Sequence, residues 1–378
     1  MKFPRGIGFP LPLTPVILPH VRRLPSEPLS PQRILVIRLS ALGDVIQVLP
    51  ALEALGRLYP AARIDAVTES LSYPLLANHP RLDRVICFPR SEIRNGWKSP
   101  ETRGEAREKL EYFRQEIFQD YYDLIIDWQS NLRSAWIRSL TRHRRTLQLH
   151  PEDGGELPRW WSGYRPSRPA GRVHRVERAM HLVRQLGYSG ETPVGEMGSD
   201  IPNRNAAFNA PILLHPFVSA FGRFKEWPIS KWIQLATRLS DRGHVVWISG
   251  GPSDAKAVSQ LLKATPPEVI AAPPTKSTAD LGRMISECRA VVAADTGVIH
   301  LSAILGVSSV GLYGPKDPSV HGPYGPSAIS LAAEIPCSPC LLRRCDHSYC
   351  MASISVDRVF DVLEKINRDS LAGKESTG

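Results

Sequence analysis

The sequence has no uninterrupted run of eighteen apolar residues, which argues against a helix that crosses a bilayer. Its first 31 residues also lack the unbroken apolar core of a secretory signal peptide, because eight prolines interrupt the stretch. We predict that residues 1–31 form a disordered leader. Without an export signal, the expected location is the cytoplasm, with peripheral contact to the inner membrane left open.

Cysteine is scarce, and the signatures of several common enzyme classes are absent. Six cysteines in an expected cytoplasmic protein favour free thiols over disulfides. No P-loop, zinc-protease or kinase motif occurs. Four cysteines share the spacing C-x2-C-x4-C-x4-C, which resembles a zinc knuckle with cysteine in place of histidine: Cys337, Cys340, Cys345 and Cys350. Because this segment has no glycine for a knuckle turn, we predict unligated thiols, or an occasional disulfide, and no metal site, with zinc as the alternative.

The chain carries an excess of positive charge. Its formal net charge is +10 and its isoelectric point is about 9.4. This balance favours phosphates, nucleic acid or an acidic membrane surface as partners, without selecting among them. A length of 378 residues exceeds one ordinary domain, and a content of 42% hydrophobic and 22% charged residues is typical of globular proteins. We therefore predict two globular domains.

Short apolar strands alternate with amphipathic helices, which predicts an α/β fold with parallel sheets covered by helices on both faces. The first series of predicted strands is Ile34–Ile37, Arg63–Thr68, Arg84–Phe88 and Leu124–Trp128. The second series is Ile212–His215, His244–Ser249, Val269–Ala272, Ala290–Ala294 and Ser309–Tyr313. The predicted helices include Glu105–Gln119, Val173–Leu186, Ser230–Arg242, Ala279–Cys288, Thr296–Leu305 and Val356–Arg368.

A polar stretch with glycine and proline separates the two series. We predict an N-terminal domain over residues 32–190, a linker over 191–210, a C-terminal domain over 211–368 and a polar tail over 369–378. Two similar halves suggest a cleft between them. In open parallel sheets, ligands bind beyond the carboxyl ends of the strands. The turns that follow strands are therefore the candidate site.

Two of these turns place an acidic residue beside a glycine. In the turn after the first strand, Gly43 permits close backbone approach to a ligand, and Asp44 is either a helix cap or a catalytic carboxylate. The turn Asp295–His300 follows the strand at Ala290–Ala294 and opens a helix, whose free N–H groups suit a diphosphate. A capped helix with His300 as a polar core residue is the alternative.

Two further turns supply a lysine and a glycine pair. Lys225 precedes a helix and could neutralise a phosphate, but the spacing alone favours a solvated surface lysine. The turn Gly250–Asp254 follows a strand, and its carboxylate could accept hydrogen bonds from ribose hydroxyls. Because the turn lacks the full G-x-G-x-x-G pattern, it is a weak signal by itself.

Taken in order, these turns resemble glycosyltransferase family 9, the heptosyltransferases, over roughly residues 33–366. The N-terminal motif is Arg38-Leu39-Ser40-Ala41-Leu42-Gly43-Asp44-Val45, followed by Leu49-Pro50. The C-terminal motifs are Lys225-x-Trp227-Pro228, Asp295-Thr296-Gly297-x-x-His300-Leu301 and Leu312-Tyr313-Gly314-Pro315-x-Asp317-Pro318. The stretch 123–134 is most similar to the heptosyltransferase I branch.

The resemblance implies a GT-B fold, in which two Rossmann-like domains face each other across a cleft. It implies an inverting, metal-independent transfer that needs no cofactor. The donor would be ADP-L-glycero-D-manno-heptose and the acceptor a lipid-linked glycan, the Kdo sugar of the lipopolysaccharide inner core. We expect no nucleic-acid partner and a monomeric protein.

The resemblance also implies roles for individual residues. Asp44 resembles the catalytic base, and Lys225 would stabilise the charge of the leaving ADP. The expected nucleotide-sugar contacts are Gly43, Ser219, Asp254, Asp295, Thr296, Gly297 and His300. Ser219 stands in for phosphate-contacting threonines that the family carries and this chain does not show. Arg133 falls where relatives bind the acceptor.

Other functions remain open. A family 9 enzyme could use another nucleotide sugar for an envelope glycan. A sugar-nucleotide epimerase would share the fold and bind a nucleotide diphosphate, but it would not depend on an acceptor. A basic RNA-binding module with a zinc knuckle would show bound zinc and salt-sensitive RNA binding. Scattered basic residues and the lack of a stacking-aromatic motif disfavour that last interpretation.

Overall fold

The structure of the protein is a computed structural model that describes residues 23–24, 28–153, 156–157, 163–164, 167–203, 207, 209–340, 342, 345 and 347–375. Residues 1–22 and 25–27 of the predicted leader lie outside the described residues. Among the described helices, none combines the length and the apolar character that crossing a bilayer requires.

The first sheet has five parallel strands in the order β3-β2-β1-β4-β5. These strands are β1 (Arg33–Ile37), β2 (Arg63–Glu69), β3 (Arg84–Phe88), β4 (Tyr121–Asp127) and β5 (Arg142–Gln148). Ile34, Leu35 and Ile37 of the central strand are fully buried. A continuous apolar run of this kind is typical of a parallel strand that has helices on both faces.

Seven helices accompany this sheet in the described part of the chain: α1 (Leu42–Ile46), α2 (Leu49–Leu58), α3 (Tyr73–Leu76), α4 (Arg90–Gly96), α5 (Arg103–Phe118), α6 (Leu132–Ser139) and α7 (Arg175–Gln185). α7 packs against α2. The apolar faces of both helices, with Leu52 and Leu55 from α2 and Met180 and Val183 from α7, belong to one buried core. α7 thus returns the chain to the start of the first domain before the linker.

The second sheet has six parallel strands in the order β11-β10-β9-β6-β7-β8. These strands are β6 (Ile212–His215), β7 (Val246–Ile248), β8 (Val269–Ala271), β9 (Ala290–Ala294), β10 (Ser308–Tyr313) and β11 (Ala328–Ala332). The accompanying helices are α8 (Ile229–Asp241), α9 (Ala255–Leu262), α10 (Thr278–Ser286), α11 (Gly297–Ile304), α12 (Pro318–His321), α13 (Tyr349–Ser353) and α14 (Val356–Glu375).

Both sheets follow the same plan. When the strands of the second sheet are counted from β6, each sheet has the order 3-2-1-4-5 of a Rossmann-like domain, and the second adds a sixth strand. The order reverses between β1 and β4 in the first sheet and between β6 and β9 in the second. A ligand crevice is expected beyond the carboxyl ends of these four strands.

The two domains meet through helices that begin at those carboxyl ends. α1 of the first domain packs against α11 of the second. Val45 and Leu49 on one side and Val298 and Leu301 on the other are buried in a shared apolar core. The turns that precede α1 and α11 are thereby held face to face.

The structure departs from the sequence-based predictions in several places. The predicted strands do not include β5 and β11, and both are edge strands of their sheets. The leader prediction is wrong at its end, because Pro31 is buried and Leu29 packs against the apolar core. α14 continues to Glu375, into the predicted tail, because no proline interrupts that stretch. The domain and linker boundaries stay predictions.

Candidate active site

The turns after β1 and β9 are in direct contact across the domain interface. A Cβ atom added to Gly43 would lie 2.6 Å from Cδ2 of His300. In the opposite direction, a Cβ atom added to Gly297 would lie 2.8 Å from Cδ2 of Leu42. The absence of a side chain at both glycines therefore allows the two domains to approach closely. Approach of a ligand was the predicted reason for these glycines, whereas in this structure the facing domain takes the space.

Asp44 lies at the domain interface between two arginines. Its Oδ2 is 3.1 Å from Nη2 of Arg38, and its Oδ1 accepts a hydrogen bond from Nη1 of Arg175. Oδ2 also accepts from the backbone N–H of Ala41 at 3.2 Å, so the carboxylate caps its own helix as well. Arg38 in turn donates to the carbonyl of Trp128, at the carboxyl end of β4. The cap and the functional interpretation are compatible, because the cap uses only one oxygen.

The two arginines decide the charge state of Asp44. Burial acts to raise the pKa of the carboxyl, but the positive charges of Arg38 and Arg175 outweigh it and hold the pKa below its ordinary value. Asp44 is therefore ionised at neutral pH and can accept a proton. The same charges make it a weak base, because a base is most effective when its pKa is near the working pH.

Asp295, directly after β9, holds Lys225 in place. The ammonium of Lys225 donates to the carboxylate Oδ2 and to the backbone carbonyl of Asp295, both at 2.9 Å. The other carboxylate oxygen is 3.7 Å from Nε2 of His300. Burial acts to raise the pKa of Asp295, but His300 and Lys225 hold it well below its ordinary value. Lys225 is thus fixed at the crevice by an ionised partner and is not a free surface lysine.

The N-terminus of α11 carries an unpaired hydroxyl. Thr296 is the N-cap residue of α11, and its side chain makes no cap hydrogen bond. Its Oγ1 is buried and has no hydrogen-bond partner among the described residues. An unsatisfied buried hydroxyl is unfavourable by about 1–3 kcal/mol, so an acceptor oxygen from a ligand would relieve it. The hydroxyl and the free N–H groups of the helix start together suit a phosphate.

The remaining predicted donor contacts are Ser219, which follows β6, and Asp254, which follows β7. His215, the last residue of β6, was not among the predicted contacts. Nδ1 of His215 is 2.9 Å from Oγ of Ser249, and burial lowers the pKa of His215 to about 4, which keeps it neutral. Oδ2 of Asp254 accepts from the backbone N–H of Gly251 at 2.8 Å, so this carboxylate is occupied in closing its own turn. Ser219 is exposed at the start of the 3-10 turn that ends at Lys225.

Comparison with known proteins assigns these turns to a family. The family model described as glycosyltransferase family 9 (heptosyltransferase) matches residues 111–350, which is more than half of the chain. The chain belongs to glycosyltransferase family 9. It is 34% identical to lipopolysaccharide heptosyltransferase 1 of Pseudomonas aeruginosa over 319 residues, which cover 83% of this chain and 88% of that protein. Lipopolysaccharide heptosyltransferase 1 of Escherichia coli K12 is 26% identical over 301 residues, or 78% and 91% of the two chains.

Solved structures confirm the GT-B fold of this glycosyltransferase. The E. coli heptosyltransferase WaaC with ADP superposes with a TM-score of 0.70 at 24% identity, covering 88% of this chain and 99% of that one. E. coli ADP-heptose lipopolysaccharide heptosyltransferase II gives a TM-score of 0.64 at 20% identity, covering 89% and 99%. The predicted pair of Rossmann-like domains facing each other is therefore correct.

The structure adds residues to which the sequence analysis assigns no role. Gln47 of the transferase donates from Nε2 toward Nδ1 of His300 and toward the carbonyl of Gly322, both at 3.4 Å. Nε2 of His174 is 3.0 Å from the same carbonyl. Arg175 follows His174 as the first residue of α7. One signal for Arg175 was visible in the sequence, because a cation at the start of a helix opposes the helix dipole.

Arg133 of the transferase lies at the start of α6, after β4, and contacts neither Asp44 nor Asp295. Its guanidinium contacts the carboxylate of Glu69, the last residue of β2. Glu69 is also 3.5 Å from Nη1 of Arg90, which follows β3. All three residues lie at the carboxyl edge of the first sheet, on the acceptor side that the sequence analysis predicts. The role of Arg133 stays a prediction.

The cysteine segment follows β11. Its four cysteines are free thiols, of which Cys350 is buried and Cys337 is exposed. A Cβ atom on Gly314 would lie 2.8 Å from Sγ of Cys350, and burial raises the pKa of that thiol. Among the described residues, no three histidine, cysteine or acidic side chains are grouped so as to hold a metal ion. The preference for unligated thiols over zinc stays a prediction.

Proposed function

We propose that this family 9 glycosyltransferase moves L-glycero-D-manno-heptose from its ADP conjugate to the Kdo sugar of the lipopolysaccharide inner core. The observation that carries the proposal is the meeting of two turns across the domain interface. One presents the ionised carboxylate of Asp44, and the other presents the open N-terminus of α11 beside Asp295, which holds Lys225 from the turn after β6. The relatives named as heptosyltransferases over most of both chains support this choice of sugar and acceptor.

In the proposed reaction, an acceptor hydroxyl attacks the anomeric carbon of the heptose while the bond to the β-phosphate oxygen breaks. Asp44 takes the proton of the hydroxyl, and the electron pair of the broken bond leaves with ADP. Because attack and departure occur on opposite faces of the sugar, the anomeric configuration inverts. The arrangement suits this step, because the base comes from one domain and the expected phosphate site from the other.

Negative charge grows on the diphosphate as ADP departs, and this chain's own groups are placed to stabilise it. Lys225 supplies an ammonium at the crevice, and Asp295 keeps it oriented. The start of α11 supplies backbone N–H groups, and the unpaired hydroxyl of Thr296 supplies another donor. We propose that these groups take the part that a divalent cation plays in other transferases.

On the acceptor side, we propose that Arg133 contacts an anionic part of the lipid-linked glycan. The protein would act as a monomer in the cytoplasm, in peripheral contact with the inner membrane that holds its acceptor. The net charge of +10 favours such a surface through its anionic lipids.

The donor is tested by calorimetric titration with ADP, UDP, GDP and ADP-heptose. We expect selective binding of ADP and ADP-heptose, followed by transfer to Kdo-lipid A. Preference for UDP or GDP would move the function to another nucleotide sugar and envelope glycan within family 9. ADP-heptose turnover that does not depend on an acceptor would indicate an epimerase. Absence of nucleotide binding, together with salt-sensitive RNA binding, would contradict a transferase.

A further inference from the structure

The two arginines that contact Asp44 differ in how firmly they are held. Arg38 directly follows the central strand, donates to the carbonyl of Trp128, and has a side chain that is 16% exposed. Arg175 has a side chain that is 41% exposed, and among the described residues Asp44 is the only hydrogen-bond partner of its guanidinium. Arg38 is therefore part of the fold, whereas the guanidinium of Arg175 can leave the carboxylate without disturbing the packing.

The backbone of Arg175 is held in place, although its side chain is 41% exposed. Nδ1 of His174 accepts the N–H of Val176 at 3.2 Å, which caps α7, and its Nε2 faces the carbonyl of Gly322 in the second domain at 3.0 Å. Burial lowers the pKa of His174, so the ring is neutral and its Nε2–H donates to that carbonyl. The start of α7 is thus attached to the domain interface beside the candidate base.

The position of Arg175 is electrostatically unfavourable apart from its contact with Asp44. An arginine at the first position of a helix faces the positive end of the helix dipole. Its charge also lowers the pKa values of Arg38, His321 and Arg178, so Arg175 lies near two other guanidinium groups and a histidine ring that is neutral at pH 7. Burial is the larger cause of the lowered pKa in all three. Asp127, Asp153 and Asp295 offset part of this charge at Arg38, Arg178 and His321 respectively. Among the described residues, however, the guanidinium of Arg175 itself bonds only to Asp44, so a second anion would be stabilised beside it.

We propose that Arg175 exchanges partners during the reaction, leaving Asp44 to bind a carboxylate on the acceptor sugar. The inference rests on the proposed function, because Kdo is a sugar acid and is anionic at neutral pH. In the free enzyme, Arg175 covers Oδ1 of Asp44, the oxygen that the helix cap does not use. Binding of an acidic acceptor uncovers that oxygen beside the acceptor hydroxyl. Arg175 thus makes activation of the base depend on an acceptor of the correct charge.

The exchange also changes the strength of the base. The groups that face Asp44 are Arg38 from the turn after β1, Arg175 from α7 and His300 from α11, and each of them lowers its pKa. When Arg175 is withdrawn, one of these contributions is lost and the pKa of Asp44 rises toward its ordinary value. A higher pKa makes the carboxylate a better proton acceptor in the transfer step.

The test measures kcat and KM for a Kdo-bearing acceptor and for the same acceptor with its carboxylate converted to a methyl ester. For the wild-type protein, we expect the ester to lower kcat/KM by about tenfold or more, since a hydrogen bond to a charged group is lost. For Arg175→Gln, we expect the acid to be used as poorly as the ester. The acidic limb of the rate–pH profile of Arg175→Gln should lie at higher pH than that of the wild type, because the pKa of Asp44 rises when the charge of Arg175 is removed. Arg184→Gln is the matched control, because Arg184 lies on the same helix and pairs with Glu177.

The outcomes separate the two proposals. If the wild-type protein transfers no heptose to the parent acceptor, the proposed function fails, and the partner exchange fails with it. If the wild-type protein transfers heptose equally well to acid and ester, the function stands and the exchange is overturned. The exchange is also overturned if Arg175→Gln discriminates as the wild type does. Since the wild-type comparison needs no variant, the test holds even if Arg175→Gln folds poorly, and Arg175→Lys, which keeps the charge, should recover part of the discrimination.

Discussion

The turn that ends in Asp44 and the turn that begins with Asp295 are built alike but have different surroundings. Each follows the first or fourth strand of a sheet with the same strand order, and each leads into a helix at the domain interface. Asp44 pairs with two arginines whose side chains are 16% and 41% exposed, Arg38 and Arg175 respectively. Asp295 pairs with Lys225 and His300, whose side chains are only 19% and 6% exposed.

The difference teaches that the role of a carboxylate at such a turn is set by partners from elsewhere in the chain. Asp295 has no replaceable partner among the described residues, so its charge is used to orient Lys225. One partner of Asp44 is 41% exposed, and the proposed exchange of that partner would make an oxygen of Asp44 available for chemistry. A base and an orienting residue can therefore arise from the same local motif.

The largest expected effect that tests this comparison comes from Asp44→Asn. Asparagine keeps the shape of the side chain and the cap to Ala41, but it cannot accept the proton. We expect kcat to fall by roughly 10²–10⁴-fold, the contribution of a positioned general base, with unchanged affinity for ADP-heptose. Single-turnover kinetics and calorimetry on the same protein measure both quantities. Turnover within a factor of about ten of wild type would rule out Asp44 as the base.

Lys225→Met and Asp295→Asn test the donor side of the site, as Asp44→Asn tests the proposed base. Loss of the ammonium should lower kcat by about 10²–10³-fold, as removal of one charge-stabilising donor does in other enzymes. Asp295→Asn should lower kcat less and weaken ADP binding, because Lys225 remains but is no longer anchored by a charge. If Asp295→Asn instead abolished turnover with normal ADP affinity, the division of roles between the two carboxylates would be wrong.

Lys231→Met is the matched control for the donor-side variants. Lys231 is also a half-buried lysine of the second domain, but its ammonium donates to the carbonyls of Ala352 and Ile354. We expect a lower melting temperature with unchanged ADP affinity. This pattern separates a general loss of stability from a loss of phosphate binding.

The fold was largely predictable from the sequence, because its central strands carry the strongest signal. β9 is apolar along its whole length, β1 is apolar after its first residue, Arg33, and both are buried on both faces, so they are recognisable without any long-range information. β5 begins Arg-His-Arg-Arg and pairs on one side only, so its exposed face carries no apolar pattern. β11 also pairs on one side only and is mostly half-buried, so its pattern is weak as well. The other two edge strands, β3 and β8, were predicted, so an edge position weakens the signal without removing it.

The site was predictable to the extent that it lies within single turns. Asp44, Thr296 and Lys225 follow or precede recognisable elements, and the family resemblance covers all three. The contacts of Arg175 with Asp44 and of Gln47 with His300 join residues that are 131 and 253 positions apart. The first contact depends on how α7 packs onto the first domain, and the second depends on how the two domains dock. No local sequence pattern encodes either of them.

Substitution of the two interface glycines should have a smaller effect, and it tests which side of the domain interface is more rigid. Gly43→Ala would press a methyl group against the ring of His300, which Gln47 and Asp295 hold in place. Gly297→Ala would meet the side chain of Leu42, which can change rotamer. We expect a several-fold loss of kcat/KM for Gly43→Ala and a smaller loss for Gly297→Ala, in which better helix propensity partly offsets the contact. Equal losses would indicate that neither side of the interface is the more rigid.

The smallest effect concerns two of the histidines whose pKa burial lowers, one from each domain. His215 and His79 both have a pKa lowered by burial to about 4, against about 6.5 for an exposed histidine. Between these values the unfolded chain binds more protons than the folded one, so stability is lost as the pH falls from about 6.5 toward 4. His215→Gln keeps a hydrogen bond to Ser249 without titrating.

We therefore expect His215→Gln to reduce the fall in melting temperature between pH 7 and pH 5 by roughly 2–4 °C. Scanning calorimetry at the two pH values measures this fall in melting temperature. His79→Gln is the corresponding variant in the first domain. If the domains unfold in separate transitions, each variant should change the acid sensitivity of its own transition only. An unchanged pH dependence in His215→Gln would mean that this ring titrates near its ordinary pKa. The crevice beside β6 would then be open to water, unlike the tightly packed surroundings of Asp295.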